Sequence, residues 1–118
     1  MRKELKLVEE FHKKFRALIG DKPQNIPEDR IKLRFELMQE EVEEYFKGAC
    51  KKDIENIAKE LADILYAVYG TIIEHGLQYK IEKIFAEVHR SHMSKDYHQY
   101  KMVKGKKYFV ANLKKIFE

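Results

Sequence analysis

The segment from Glu60 to Ile73, ELADILYAVYGTII, constrains the fold most, because its apolar residues recur with helical spacing. Asp63 is the only charged residue in the last thirteen positions of this segment. The segment is shorter than the ~20 apolar residues of a membrane-spanning helix, so it predicts a helix packed against other helices. A carboxylate in such surroundings is costly unless it is paired, so Asp63 predicts a partner of opposite charge.

Length and composition indicate a globular protein of modest size. The chain has 118 residues, which fits a single core, and we predict one domain over residues 1–118. Cys50 is the only cysteine, which excludes an intrachain disulfide and a cluster of thiolate metal ligands. The charged N-terminus lacks the apolar stretch of a secretory signal. A reducing cytoplasm is therefore the expected compartment, with no membrane partner.

Helical periodicity dominates the rest of the chain and predicts an all-α fold with a four-helix core and a short basic C-terminal tail. The expected helices cover residues 2–19, 27–47, 54–75 and 81–91. Gly20 and Gly48 are expected to end the first two helices, and Asp53 to cap the third. In the tail we expect either an irregular segment or a small hairpin turning at Gly105, followed by a short helix near residues 112–117.

On the second helix, the direction of each side chain follows from a rotation of about 100° per residue. The residues predicted to face the core are Phe35, Met38, Val42, Tyr45 and Phe46. Three acids continue a neighbouring apolar stripe that begins with Leu33 and Leu37; they are Glu40, Glu41 and Glu44. A solvated face would not lie there, so these carboxylates are candidates for a functional site.

The third helix offers a second pair of carboxylates, Glu60 and Asp63, on the side of its small residues. Residues three apart on a helix are neighbours, and two helices joined by a short connection pack antiparallel, so the acids of both helices should converge. No Lys or Arg lies between Leu61 and Ile73 to neutralise them. Hard divalent cations bind carboxylate oxygens, which predicts Mg²⁺, with Mn²⁺ as a substitute. The alternative is that these are ordinary surface acids and that Asp63 is a satisfied buried polar group.

Charge is unevenly distributed along the chain. From Glu36 to Asp63 there are nine acidic and four basic residues, whereas from Tyr79 to the C-terminus there are ten basic and four acidic ones. An acidic middle and a basic tail suit a ligand made of a metal and phosphates, and they equally suit a polarised surface without a ligand.

These motifs resemble the MazG-like, all-α nucleoside triphosphate pyrophosphohydrolases, including their phosphoribosyl-ATP pyrophosphohydrolase-like and dUTPase-like members. That family carries EExxE on one helix and ExxD on the next; here they are Glu40-Glu41-Val42-Glu43-Glu44 and Glu60-Leu61-Ala62-Asp63. The later segment EVHRSHMSKD is similar to the HRSNMSK segment of one subgroup, with His92 in place of the usual Asn. The resemblance covers residues 11–115, nearly the whole chain.

The resemblance implies Mg²⁺-dependent hydrolysis of a (d)NTP to the monophosphate and pyrophosphate, with dUTP or a related pyrimidine deoxynucleotide as the expected substrate. The implied metal ligands are Glu41, Glu44, Glu60 and Asp63. Glu40 is the candidate general base or water-positioning residue, and Glu41 could exchange roles with it. A homodimer or higher homo-oligomer is expected, while nucleic acid is a disfavoured partner.

Further residues would bind the substrate. Those implied for the phosphates are Arg90, Lys95, Lys104 and Lys106; those for the nucleoside are His12, Tyr66 and His92. Each lysine could instead be a solvated surface residue, and His12 could be a packed core histidine. Tyr66, one turn after Asp63, could pack against a deoxyribose.

Two other functions remain open. A phosphoribosyl-ATP pyrophosphohydrolase would share the ExxE and ExxD helices. A non-enzymatic helical module could instead bind nucleic acid through its tail, where aromatic residues alternate with lysines. That second alternative leaves Asp63 unexplained.

Overall fold

The computed structural model describes residues 1–118 and contains four α-helices and no β-strand. They are α1 (Arg2–Lys14), α2 (Glu28–Cys50), α3 (Ile54–Glu74) and α4 (Ile81–His92), followed by a 3₁₀-helix, Lys114–Phe117. The predicted all-α fold class is confirmed. None of the helices has the length and apolar character needed to cross a membrane.

The chain forms two compact units. The first, Met1–Gln78, contains α1, α2 and α3, and both α1 and α2 pack on α3. The second, Tyr79–Glu118, contains α4 and the C-terminal tail. The single domain over residues 1–118 stays a prediction.

Helix α1 is shorter than the periodicity predicts, because it ends at Lys14. Arg16 adopts a positive φ of 57°, which reverses the chain direction. The N–H of Ala17 then donates to the carbonyl of His12 at 2.9 Å, and Nδ1 of His12 lies 3.0 Å from the carbonyl oxygen of Leu18. The histidine thus stabilises the turn that ends its own helix.

Residues 15–27, which connect α1 to α2, pack against the C-terminal end of α3. The last carbonyls of a helix have no intrahelical partners, and here Gly20 and Gln24 donate their N–H groups to the carbonyls of Ile73 and His75 at 2.8 and 2.9 Å. A Cβ on Gly20 would lie 2.6 Å from the backbone nitrogen of Gly76. Gly20 therefore permits a close approach to α3, instead of ending α1.

The turn between α2 and α3 matches the prediction only in part. Helix α2 continues past Gly48 to Cys50. Gly48 is buried, and a Cβ there would meet the side-chain nitrogen of Asn56 at 2.5 Å, so this glycine permits the close approach of Asn56 instead of ending the helix. The capping role of Asp53 is confirmed, since its Oδ1 accepts from the N–H of Asn56 at 3.2 Å. Lys52, with φ of 57°, makes the tight turn itself.

The predicted core face of α2 is wrong at three positions. Phe35, Val42 and Phe46 are 58%, 51% and 67% exposed. The helix instead turns Arg34 towards α3, where the guanidinium meets Glu74. The ion pair of Arg34 with Glu74 thus orients α2, and the apolar stripe of Phe35, Val42 and Phe46 is left exposed on a single chain.

A buried ionic network joins α2 to α3. Glu74 is fully buried and accepts from Arg30 Nε and Nη2 at 2.9 and 2.7 Å and from Arg34 Nη1 at 3.1 Å. Arg34 also donates to the hydroxyl of Thr71 at 3.1 Å and to the carbonyl of Ala67 at 2.9 Å. Burial lowers the pKa of Arg34, while the bond to Glu74 raises the pKa of Arg30. These directional contacts fix the relative register of the two helices.

In the second unit the tail packs on the end of α4. Asp96 and Val103 form one antiparallel bridge, so the chain reverses between these two residues, and the turn at Gly105, where the N–H of Tyr108 donates to its carbonyl at 3.2 Å, belongs to an irregular segment and not to a hairpin. The hydroxyl of Ser91 donates to the carbonyl of Phe109 at 2.7 Å and ties the tail to the helix. The short helix expected near residues 112–117 is the 3₁₀-helix at Lys114–Phe117.

Candidate active site

Three carboxylates from α2 and α3 come together in the first unit. They belong to Glu41, Glu60 and Asp63, and one oxygen of each lies within 4.8 Å of the others. Glu60 and Asp63 are one turn apart on α3, and α2 packs beside them, which brings Glu41 into reach. We call this group the carboxylate cluster. It contains three of the four residues that the resemblance implies as metal ligands.

Glu60 is the most confined member of the carboxylate cluster. The residue is only 5% exposed, and its Oε2 is buried without a hydrogen-bond partner. Burial of Glu41 and the adjoining carboxylates of Glu60 and Asp63 raise the pKa of Glu41. Both observations describe negative charge that the protein leaves largely uncompensated, so a divalent cation with oxygen ligands fits the cluster.

One cation does reach the carboxylate cluster, which the sequence reasoning missed. Lys59 Nζ lies 2.8 Å from Oδ2 of Asp63 and 3.6 Å from Oε1 of Glu60. The expectation that no basic residue neutralises these acids is therefore wrong. The signal was present in the spacing, because a lysine four residues before an aspartate lies on the same helical face.

Two other predicted acids lie outside the carboxylate cluster. Glu44 is exposed, and its Oε1 is 3.9 Å from Nζ of Lys47 on the next turn of α2. Glu40 is also exposed; it directly precedes Glu41 in the sequence, and its charge contributes to the raised pKa of Glu41. Metal ligation by Glu44 and the role of Glu40 as base stay predictions.

A set of aromatic rings accompanies the cluster in the same unit. The rings of Tyr66 and Phe11 meet edge to face with centroids 5.5 Å apart, and Phe15 lies 4.6 Å from Phe11. All three are partly exposed. The pKa of Tyr66 is raised, mainly by burial and to a smaller extent by the negative charge of Glu10. Such rings offer a flat apolar surface on which a sugar or a base can pack.

His12, on α1, packs against the segment that follows α1 and against α3. It is buried, its Nδ1 contacts the carbonyl of Leu18, and its Nε2 approaches Gly70, where a Cβ would lie 2.9 Å away. Arg34 Nη2 lies against the same glycine. These contacts are those of a packed interior histidine, the alternative given for this residue, and its contact with a nucleoside stays a prediction.

The predicted phosphate-binding residues all belong to the second unit. Arg90 donates to both carboxylate oxygens of Glu87 at 2.9 Å and lies over the ring of Phe109. Lys95 and Lys104 border an open depression of about 530 Å³ formed by the tail. Lys106 is exposed, and so is His92, which is predicted to contact the nucleoside. The substrate contacts of all five stay predictions.

The sequence matches a family of known enzymes. The family model described as phosphoribosyl-ATP pyrophosphohydrolase matches residues 8–92, which include α2, α3 and the whole carboxylate cluster. No curated protein matches the sequence.

Proposed function

Because the chain belongs to the phosphoribosyl-ATP pyrophosphohydrolase family, part of the MazG-like all-α pyrophosphohydrolases that hydrolyse phosphoric anhydrides, we propose that it cleaves a nucleoside triphosphate between the α and β phosphates with Mg²⁺. The products are the nucleoside monophosphate and pyrophosphate. One observation carries the proposal: one oxygen each of Glu41, Glu60 and Asp63 lies within 4.8 Å of the others, in a cluster where Oε2 of Glu60 is buried without a hydrogen-bond partner.

A triphosphate, with about four negative charges, cannot approach three carboxylates unless a cation lies between them. When bound, Mg²⁺ would stabilise charge on the phosphate oxygens and make a coordinated water more acidic. Glu60 and Asp63 would hold the ion from α3, and Glu41 would hold it from α2. The exposed carboxylate of Glu40, next to Glu41 in the sequence, accepts the proton of the attacking water.

Two substrates follow from different observations. The family match over residues 8–92 favours phosphoribosyl-ATP. A pyrimidine deoxynucleotide such as dUTP is favoured by the EVHRSHMSKD segment and by two partly exposed aromatic rings. One is Tyr66, one helical turn after Asp63, and the other is Phe11, which packs against Tyr66. A ring against the sugar disfavours a 2′-hydroxyl, because that polar group would be desolvated without a partner. Both substrates are cleaved at the same anhydride.

The deciding experiment supplies the protein and Mg²⁺ with dUTP, dTTP, dCTP, UTP, ATP and phosphoribosyl-ATP in parallel, and identifies products by chromatography. Asp63→Asn is the matched control, since it keeps the size of the side chain and removes one charge of the cluster. We expect monophosphate and pyrophosphate from the wild type and no product from the variant. Diphosphate and orthophosphate would contradict α–β cleavage, and the faster of dUTP and phosphoribosyl-ATP identifies the substrate.

The exposed apolar stripe of α2 supports a second part of the proposal, that the protein is a homodimer. Phe35, Val42 and Phe46 lie on one side of the helix and are all more than half exposed. Only five hydrophobic residues of the chain are buried, each 8% exposed or less; they are Leu5, Val8, Ile26, Ala67 and Ile73. A second copy of the same helix would cover the stripe with a surface of matching chemistry.

A further inference from the structure

Lys59 contacts two members of the carboxylate cluster at once. Its Nζ lies 2.8 Å from Oδ2 of Asp63 and 3.6 Å from Oε1 of Glu60. The ordinary pKa of a lysine is about 10.4, so the group in contact with these carboxylates is an ammonium at neutral pH. By comparison, Lys13 on α1 pairs with Glu9 alone, at 3.3 Å. The ammonium of Lys59 therefore lies at the edge of the group of oxygens that would bind a metal.

The carboxylates of α3 and the ammonium differ in their freedom to move. Glu60 is buried and held within α3, whereas 68% of the Lys59 side chain is exposed to water. A long exposed side chain has several rotamers of similar energy, so Lys59 can leave Asp63 without any change in the helices. A buried glutamate has no such alternative. The lysine is the partner that moves when another cation arrives.

We propose that Lys59 is a resident counter-cation of the carboxylate cluster, which a divalent ion must displace from Asp63, and that it thereby weakens metal binding. The inference rests on the proposed metal site. Oδ2 of Asp63 cannot keep its short hydrogen bond to the ammonium and also serve as a metal ligand in the same direction. An ammonium that remained within a few ångströms of the ion would repel a double positive charge.

Lys59 also explains how the metal-free protein tolerates the cluster. With the ammonium in place, one positive charge opposes three carboxylates, and only Oε2 of Glu60 is left buried without a partner. A divalent ion supplies twice the charge at shorter distances. The wild-type protein therefore binds the free ion weakly, and a triphosphate that brings its own cation has an advantage over the free metal.

The test measures Mn²⁺ binding to the nucleotide-free protein, using the electron paramagnetic resonance signal of the unbound ion. Lys59→Met shortens the side chain by only one atom and removes its charge, and we expect the dissociation constant of Mn²⁺ to fall about tenfold in low salt. Lys59→Arg keeps the charge and should bind like the wild type. Lys13→Met removes an equally exposed lysine from a helical pair outside the cluster and should change nothing.

The outcomes separate this inference from the proposed function. If the wild type binds Mn²⁺ and Asp63→Asn does not, while Lys59→Met has the wild-type affinity or a weaker one, the counter-cation inference is overturned and the metal site stands. If neither the wild type nor Lys59→Met binds Mn²⁺, both fail. A tenfold gain in Lys59→Met alone supports the inference. Lys59→Gln serves as a second neutral variant, with circular dichroism to verify the helices.

Discussion

Replacing Glu74 by Gln should destabilise the protein by about 3 kcal/mol, because two guanidinium groups lose the buried charge that they surround. Both oxygens of Glu74 accept hydrogen bonds, from Arg30 at 2.9 and 2.7 Å and from Arg34 at 3.1 Å. Glutamine has nearly the same volume and shape. The change therefore creates no cavity, and the measured loss reports the ionic network alone.

The magnitude follows from the surroundings of the two arginines. Breaking a buried ion pair by removing one charge costs about 3–5 kcal/mol. The side chain of Arg34 is 9% exposed and keeps its charge away from water, whereas that of Arg30 is 27% exposed and can be partly hydrated. The loss should lie at the lower end of the range. Small domains have about 5–15 kcal/mol of stability in total, so the variant should fold but be much weakened.

Urea unfolding followed by circular dichroism measures this loss. Wild type and variant are compared at one protein concentration, because dimerisation would change the apparent stability. Glu9→Gln is the control, since it breaks the surface pair with Lys13 and should cost no more than about 1 kcal/mol. A loss below about 1 kcal/mol for Glu74→Gln, with an unchanged slope, would refute the reasoning. The double change Arg34→Met and Glu74→Leu should recover part of the stability.

Glu60→Gln should abolish turnover and raise the melting temperature of the metal-free protein, because it removes one of three clustered negative charges, on a carboxylate whose Oε2 is buried without a hydrogen-bond partner; an active variant would exclude Glu60 as a ligand. Phe46→Glu should convert dimers to monomers in light scattering, and a dimeric variant would contradict the proposed interface. Arg90 lowers the pKa of Glu87 to about 2. The stability from this carboxylate is present above its ordinary pKa of about 4.3 and is lost as the pH falls towards 2. The backbone N–H of Asn112 donates to Glu87, so its chemical shift in nuclear magnetic resonance should follow the titration of Glu87 with a midpoint near 2; a midpoint near 4 would contradict the pairing.

The helices themselves could be predicted from local signals, but not all of their ends. Asp53 caps α3, and Gly76, with φ of +67°, follows its C-terminus, and both signals lie within a few residues of the helix. The end of α1 depends instead on contacts between its connecting segment and α3. No local pattern records that Gly20 will lie against Gly76, so periodicity extended the helix too far.

The orientation of α2 was predictable only in part, because periodicity assumes that apolar residues face the core. Arg34 is buried by its pairing with Glu74, forty residues later, and a charged residue of this kind is assigned to solvent when the sequence is read alone. The opposite stripe, with Phe35 and Phe46, is then exposed on the single chain. The pattern identified the apolar residues correctly but not what they pack against.

For the candidate site, the spacing of the acids predicted which residues could converge. Glu41 meets Glu60 and Asp63, whereas Glu44 lies about 60° further around α2 and turns towards Lys47. Lys59 lies outside the apolar segment that begins at Leu61, but its side chain spans a full helical turn and reaches Asp63. A charge outside an apolar segment can therefore neutralise an acid within it.

The attachment of residues 15–27 to the end of α3 determines where the chain can be cut or extended. Backbone N–H groups of Gly20 and Gln24 donate to carbonyls at the end of α3, so a protease would have to detach this segment from the helix before it could cleave there. An inserted tag would separate donors from acceptors and leave the helix terminus open. The two-residue turn at Lys51 and Lys52 is exposed and forms hydrogen bonds only within its own turn. It is the better position for a label or a fused peptide in the first unit.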